Sequence, residues 1–130
     1  MKSLIPYLVF SGNCKEAMEF YADVLNGTIT SLRTFGSSPI EVPPEHRSRI
    51  FDCELKAENI HFKASDDLPN HAVKRGNNFS LFVTFSESKE KEGVFNKLSR
   101  GGNVLFPLDE SFGMLKDKFG IQWMIVSDIH

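Results

Sequence analysis

The chain has 130 residues, 41% hydrophobic and 25% charged, with a net charge of −2 and a pI of about 6.1. This balance fits one soluble globular domain with enough length for its own core. It lacks the basic excess of a nucleic-acid binder, since "KRGNN" at 74–78 is too short for a patch, and the roughly 18-residue apolar run of a membrane span.

The N-terminal "MKSLIPYLVF" is short, carries one lysine and is interrupted by Pro6, so it does not read as a signal peptide. Cys14 and Cys53 form no CxxC pair and read as reduced thiols. The expected compartment is therefore cytoplasmic, with no nucleic-acid or membrane partner. Phenylalanine is over-represented, at 12 residues against two Tyr and one Trp. Each buried Phe contributes about 1.5–3 kcal/mol, so the excess either fills a core or lines a cavity for an apolar or aromatic ligand.

In chain order, the first predicted strand runs from Leu4 to Phe10. "SGNCKEAMEFYADVLNG" then reads as a helix. Ser11 or Asn13 can cap it, and Ala17, Phe20, Tyr21, Val24 and Leu25 fall at helical spacing. Gly27 is expected in the left-handed stop position. A strand at about 28–35 follows, then the Pro-rich loop "GSSPIEVPPEHRS", then strands at about 49–57 and 60–65. The second half repeats this order, with a strand at about 79–85 and a helix from Ser88 to Ser99. A short strand at 104–106 and a hairpin at 112–126, turning at Asp117-Lys118-Phe119-Gly120, complete it. The linker is polar and contains Pro69.

The closing strands "NIHFKASD" (59–66) and "IQWMIVSD" (121–128) both end in Ser-Asp, which sets Met124 opposite Phe62. An internal repeat is the best organisational reading: one domain over 1–130 built of units at about 1–66 and 78–130, with a linker at about 67–77. Each unit is too small for a good core alone, so the two should share one and enclose a cleft. Within the first unit, pairing Ala57 with Ile60 puts Phe51, Cys53, Leu55, Ile60, Phe62 and Ala64 on one face. Asp52, Glu54, His61 and Lys63 then share the other.

"PYLVFSGNCKEAMEFYADVLNG" and "FGMLKDKFGIQWMIVS", with "FDCELKAENIHFKASD" and "LSRGGNVLFPLDESFGM" between them, resemble the PhnB-like branch of the glyoxalase/bleomycin-resistance (vicinal oxygen chelate) superfamily. The resemblance covers essentially the whole chain. It implies an α+β fold in which two βαβββ units form a curved eight-stranded mixed sheet around a central cleft, helices outside, usually as a homodimer. Enzymes of the superfamily hold a divalent metal through four His and Glu ligands. Carried over, those positions fall at Pro6 or Tyr7, at Phe62, at about Ser80 (Asn78, Phe79 and Leu81 being no better donors) and at Met124. None is a histidine or carboxylate, so the expectation is no metal and no cofactor. Relatives often have a histidine where this chain has Asp52, and a longer segment with Trp and Arg before "FGML". Some are called demethylubiquinone methyltransferases, yet no glycine-rich strand-to-helix turn is present to cradle a nucleotide-bearing cofactor.

The expected function is binding of a small apolar or aromatic molecule in the cleft, with Tyr7, Phe62, Ser80, Gln122 and Met124 as contact residues. Gln122 joins the set because it shares a strand face with Met124, and Trp123 packs behind. The alternative is an enzyme with a displaced metal or an acid–base site, for which Asp52 and His61 are the catalytic candidates. Otherwise Asp52, Glu54, His61 and Lys63 form a charge-paired outer face. His46, His71 and His130 read as solvated. Cys53 reads as a small core residue, and Cys14, near a helix N-terminus, as a reactive-thiol candidate.

Overall fold

A computed structural model describes residues 2–68 and 71–128. The chain divides into two compact units, 1–74 and 75–130. Each carries a four-stranded mixed sheet and one α-helix, so the α+β class and the twice-used βαβββ order are as expected.

The first unit comprises β1 (Tyr7–Phe10), α1 (Cys14–Leu25), β2 (Thr28–Thr34), β3 (Ile50–Ala57) and β4 (Ile60–Asp66). Its strand order is β1-β4-β3-β2, with β1 parallel to β4 and the other pairs antiparallel. Ala57 pairs with Ile60, as the alternation predicts. α1 packs on β2, β3 and β4. Under it Leu8, Phe10, Cys53, Leu55, Phe62 and Ala64 are buried, and Tyr21 meets the Phe62 ring edge-on at 5.9 Å.

Three local expectations change. β1 begins at Tyr7 rather than Leu4, which is 90% exposed. Neither Ser11 nor Asn13 caps α1 through its side chain. The buried Asp66 carboxylate, from the far end of the unit, accepts from the Gly12 and Cys14 amides at 2.9 Å each. At the C-terminal end Asn26 takes the left-handed conformation, at φ 54°. Gly27 is required for a different reason: a Cβ there would lie 3.0 Å from both the Ala57 Cβ and the Lys56 carbonyl oxygen.

The second unit comprises β5 (Leu81–Phe85), α2 (Ser88–Ser99), β6 (Asn103–Phe106), β7 (Phe112–Lys116) and β8 (Gln122–Ser127), in the order β5-β8-β7-β6. β5 is parallel to β8 and starts two residues later than expected, leaving Phe79 63% exposed. α2 packs on β5, β7 and β8. Val94, Phe95 and Leu98 are buried on this side with Leu81, Val83, Leu115, Trp123 and Ile125.

The turn after β7 is organised by Asp117. Its buried carboxylate accepts from the Phe119 and Ile121 amides and from the Trp123 indole N–H at 2.9 Å. The open valences of a tight turn and of a core tryptophan are thus satisfied by one side chain.

The repeat is real, but its register differs by one residue from the Ser-Asp match. Asp67 N–H donates to the Phe10 carbonyl, and Asp128 N–H to the Phe85 carbonyl. Tyr7 pairs with Lys63 where Phe82 pairs with Met124. Asp128 therefore corresponds to Asp67, and Met124 to Lys63 rather than to Phe62. A one-residue slip in a strand moves every side chain to the opposite face.

Candidate functional site

In each unit one sheet face carries the helix and the other is open. On the second unit the open face is defined by register. Phe82 pairs with Met124, Met124 with Met114, and Met114 with Phe106, one residue from each of the four strands. This apolar row crosses the whole sheet. Phe82 is 61% exposed and Phe106 55%, while both methionines are half-buried. Phe112 stands beside Phe106 with ring centroids 5.8 Å apart. Methionine thioethers and aromatic rings adapt to irregular apolar partners and contact π-faces favourably.

A polar row borders the apolar one. Gln122 pairs with Lys116, and Lys116 with Asn103. The Gln122 side-chain amide donates to the Ser80 hydroxyl at 2.7 Å. Lys116 Nζ donates to the Gly76 carbonyl at 3.1 Å. Gln122 and Ser80 are thereby held in place at the edge of the apolar surface. Trp123 lies on the helix side, 1% exposed, which separates it from Gln122 and Met124 as the strand alternation requires.

The equivalent row of the first unit is Tyr7, Lys63, Glu54 and Ser31, chemically the opposite of its counterpart. The face is laced by diagonal pairs. His61 Nε2 lies 2.8 Å from Glu54 Oε2, and Lys63 Nζ lies 3.4 Å from Asp52 Oδ1. Arg33 approaches Asp52 at 4.0 Å. Thr30 Oγ1 donates to the other Glu54 oxygen at 2.8 Å. The hydrogen bonds from His61 and Thr30 hold the Glu54 carboxyl below its usual pKa.

The sequence-based candidates therefore separate. Tyr7, Ser80, Gln122 and Met124 belong to the open faces. Phe62 does not: it is 2% exposed and packs against Tyr21, so the position carried to it passes to Lys63. His61 pairs with Glu54, and Asp52 pairs with Lys63 and Arg33, so Asp52 and His61 do not form the expected couple. Cys14 is fully buried. A hydrogen bond with Cys53, burial and the Asp66 carboxylate push its thiol far above the ordinary range, the reverse of an activated cysteine. His46 is half-buried and His71 exposed. His130 and Pro69 lie outside the described residues.

The metal positions implied by the resemblance, with the register corrected, fall at Tyr7, Lys63, Phe82 and Met124, so that the one carried to Ser80 passes to Phe82, and they hold a phenol, an ammonium, a phenyl ring and a thioether. That donor set does not suit a divalent metal, which requires deprotonated oxygen, nitrogen or sulfur ligands. Among the described residues no group of three or more His, Cys, Asp or Glu is placed to hold an ion.

One functional-looking residue was not expected. Lys91 is 3% exposed, and its ammonium donates to the carbonyls of Asp109 and Glu110 and to the Ser127 hydroxyl. Its spacing with Val94, Phe95 and Leu98 places it on the buried helix face, a signal visible in the sequence. It borders a groove of about 420 Å³ between α2 and residues 107–111. Because all three donors are engaged, its evident role is to pin that loop.

Comparison with solved structures agrees with this architecture. Protein PA1353 from Pseudomonas aeruginosa is 32% identical and superposes with a TM-score of 0.88, covering 98% of each chain. The PhnB protein from Bacillus cereus is 26% identical with a TM-score of 0.80, covering 97% of this chain and 99% of its own. The fosfomycin resistance protein FosX from Listeria monocytogenes, 5% identical with a TM-score of 0.68, shares the fold alone, over 98% of this chain and 92% of its own. The family model described as 3-demethylubiquinone-9 3-methyltransferase matches residues 2–126, so the chain belongs to that family, the PhnB-like branch of the glyoxalase/bleomycin-resistance (vicinal oxygen chelate) superfamily.

Proposed function

We propose that this protein binds a small apolar or aromatic molecule, without a metal, on the open face of β5–β8. The observation that carries this reading is the row Phe82–Met124–Met114–Phe106, apolar across all four strands. Covering it with a ligand removes apolar area from water at about 25 cal/mol per Å². Gln122 and Ser80 supply polar atoms at its edge, a combination common in ligand sites. Methyl transfer, named in the family description, gains no support from the turn between β1 and α1. It has a single glycine, Gly12, and the Gly12 and Cys14 amides are already taken by Asp66. A helix N-terminus so occupied has little to offer an anionic cofactor group.

The test uses protein labelled with ¹³C at the methionine methyls, titrated with indole, 2-naphthol and toluene. The Met114 and Met124 methyl signals should shift with saturation, while that of Met18, fully buried on the inner face of α1, should not. Unmoved Met114 and Met124 signals with all three probes would refute the site.

A further inference from the structure

We infer that the ligand of the β5–β8 face is an aromatic monocarboxylate, its rings on the apolar row and its carboxylate held by Lys116, an assignment that rests on the apolar row being the binding surface.

The polar row runs in the same register as the apolar one. Ser80 and Gln122 stand two residues before Phe82 and Met124, and Lys116 two residues after Met114. Alternation sets all six on one face, with the rows about 7 Å apart. Burial agrees, since the residues between them, Leu81, Trp123 and Leu115, are buried on the helix side. A fused two-ring body lying on the apolar row brings a carboxylate on its edge to the polar row.

Two donors of this row are open. Lys116 is half-buried, and among the described residues the one partner of its Nζ is the Gly76 carbonyl at 3.1 Å. A neutral carbonyl engages one of the three ammonium hydrogens and leaves the charge unmatched. Ser80 Oγ accepts from the Gln122 amide at 2.7 Å, so its own hydrogen remains to donate. An ionised carboxylate only accepts hydrogen bonds and forms its strongest ones with charged donors.

Charge along the strands points the same way. β5, β6 and β8 begin, and β7 ends, at the Lys116 end of the sheet. Arg75 and Lys118 stand there too, since a Cβ on Gly120 would meet the Arg75 side chain and one on Gly101 that of Lys118. The acids lie at the opposite end. Glu87 follows β5, Asp109 and Glu110 precede β7, and Asp128 follows β8. Glu90 and Glu92 stand at the start of α2, which Lys91 ties to the Asp109 and Glu110 carbonyls. Asp117, at the basic end, is 3% exposed and accepts from two amides and the Trp123 indole. Among its described residues the unit therefore has no exposed carboxylate beside Lys116. Such a rim attracts an anion and repels a cation.

The test compares three probes of one shape, 2-naphthoate, 2-naphthol and 2-naphthylmethylamine. Affinities at neutral pH are read from the Met114 and Met124 methyl shifts of ¹³C-methionine protein. Wild-type protein should bind 2-naphthoate about 10-fold or more tighter than 2-naphthol, the range of a hydrogen bond to a charged group. The ammonium probe should bind most weakly, and the naphthoate advantage should shrink as salt rises. Lys116→Met should bring 2-naphthoate down to the level of 2-naphthol or below it. Lys116→Arg, which keeps the charge, should retain most of the advantage. Urea midpoints of both variants serve as the folding control. Wild-type protein that binds 2-naphthoate no tighter than 2-naphthol, or a folded Lys116→Met protein with the full advantage, would overturn the inference. Should 2-naphthol shift the methionine signals without any naphthoate advantage, the apolar row stands and the anion alone fails. Should no probe shift them, both fail.

Discussion

Asp66 does more for the first unit than any residue with chemical interest. Three backbone N–H groups, from Gly12, Cys14 and Ile50, converge on its carboxylate within 2.9 Å, and it is 3% exposed. It caps α1, fixes the turn before it and ties the start of β3. Asp66→Ala leaves these donors buried and unsatisfied, each costing about 1–3 kcal/mol. Urea denaturation should show a loss of at least about 3 kcal/mol, while Asp52→Asn, on the half-exposed paired face, should cost about 1 kcal/mol or less. Sequence reasoning looked for the cap next to the helix, at Ser11 or Asn13. A cap supplied from 52 residues away leaves no local signal. The same distance effect hid the Glu54–His61 pair. Alternation put both on one face with Asp52 and Lys63, but which acid meets which base depends on the diagonal geometry of two strands.

Secondary structure was legible because each element carries its own pattern. The helix at 88–99 and the turn at Asp117–Gly120 stand where periodicity and turn chemistry put them. Strand starts were not, because Leu4 and Phe79 are apolar enough to extend a strand on paper and yet stay exposed. The relation between the closing strands failed by one residue for an instructive reason. Asp66 and Asp67 are adjacent, and only the backbone bonds show that Asp67, not Asp66, corresponds to Asp128. Glycines in the second unit test how closely α2 seats on its sheet. A Cβ at Gly113 would come within 2.8 Å of the Phe95 ring and 2.9 Å of the Leu108 Cα. Gly113→Ala should therefore cost about 1–3 kcal/mol by overpacking. A Cβ at Gly93, within α2, would meet nothing within 4 Å beyond the helix's own backbone. Gly93→Ala should stabilise by about 0.5–1 kcal/mol through helix propensity. Both values come from one set of urea curves with unchanged slopes.

Across the molecule, one βαβββ plan is used twice with opposed surface chemistry. Corresponding rows read Tyr7, Lys63, Glu54, Ser31 in one unit and Phe82, Met124, Met114, Phe106 in the other. Family membership was readable from the sequence because its motifs sit at the turns and helix starts that define the plan. Surface chemistry was only half readable: Phe62 was placed on the apolar face it occupies, but that face carries α1, so Phe62 packs in the core and not on an open face, as Met124 does. In both units the positions that the sequence resemblance assigns to metal ligands are filled by groups that do not bind a divalent ion well. Elemental mass spectrometry on untagged protein, after exposure to Zn, Ni, Mn and Fe and exhaustive dialysis, measures the consequence. The account predicts retention far below one ion per chain for all four metals. Retention near one ion per chain of any of them would contradict it, and would mean that the ligand positions of this fold are not the ones its register indicates.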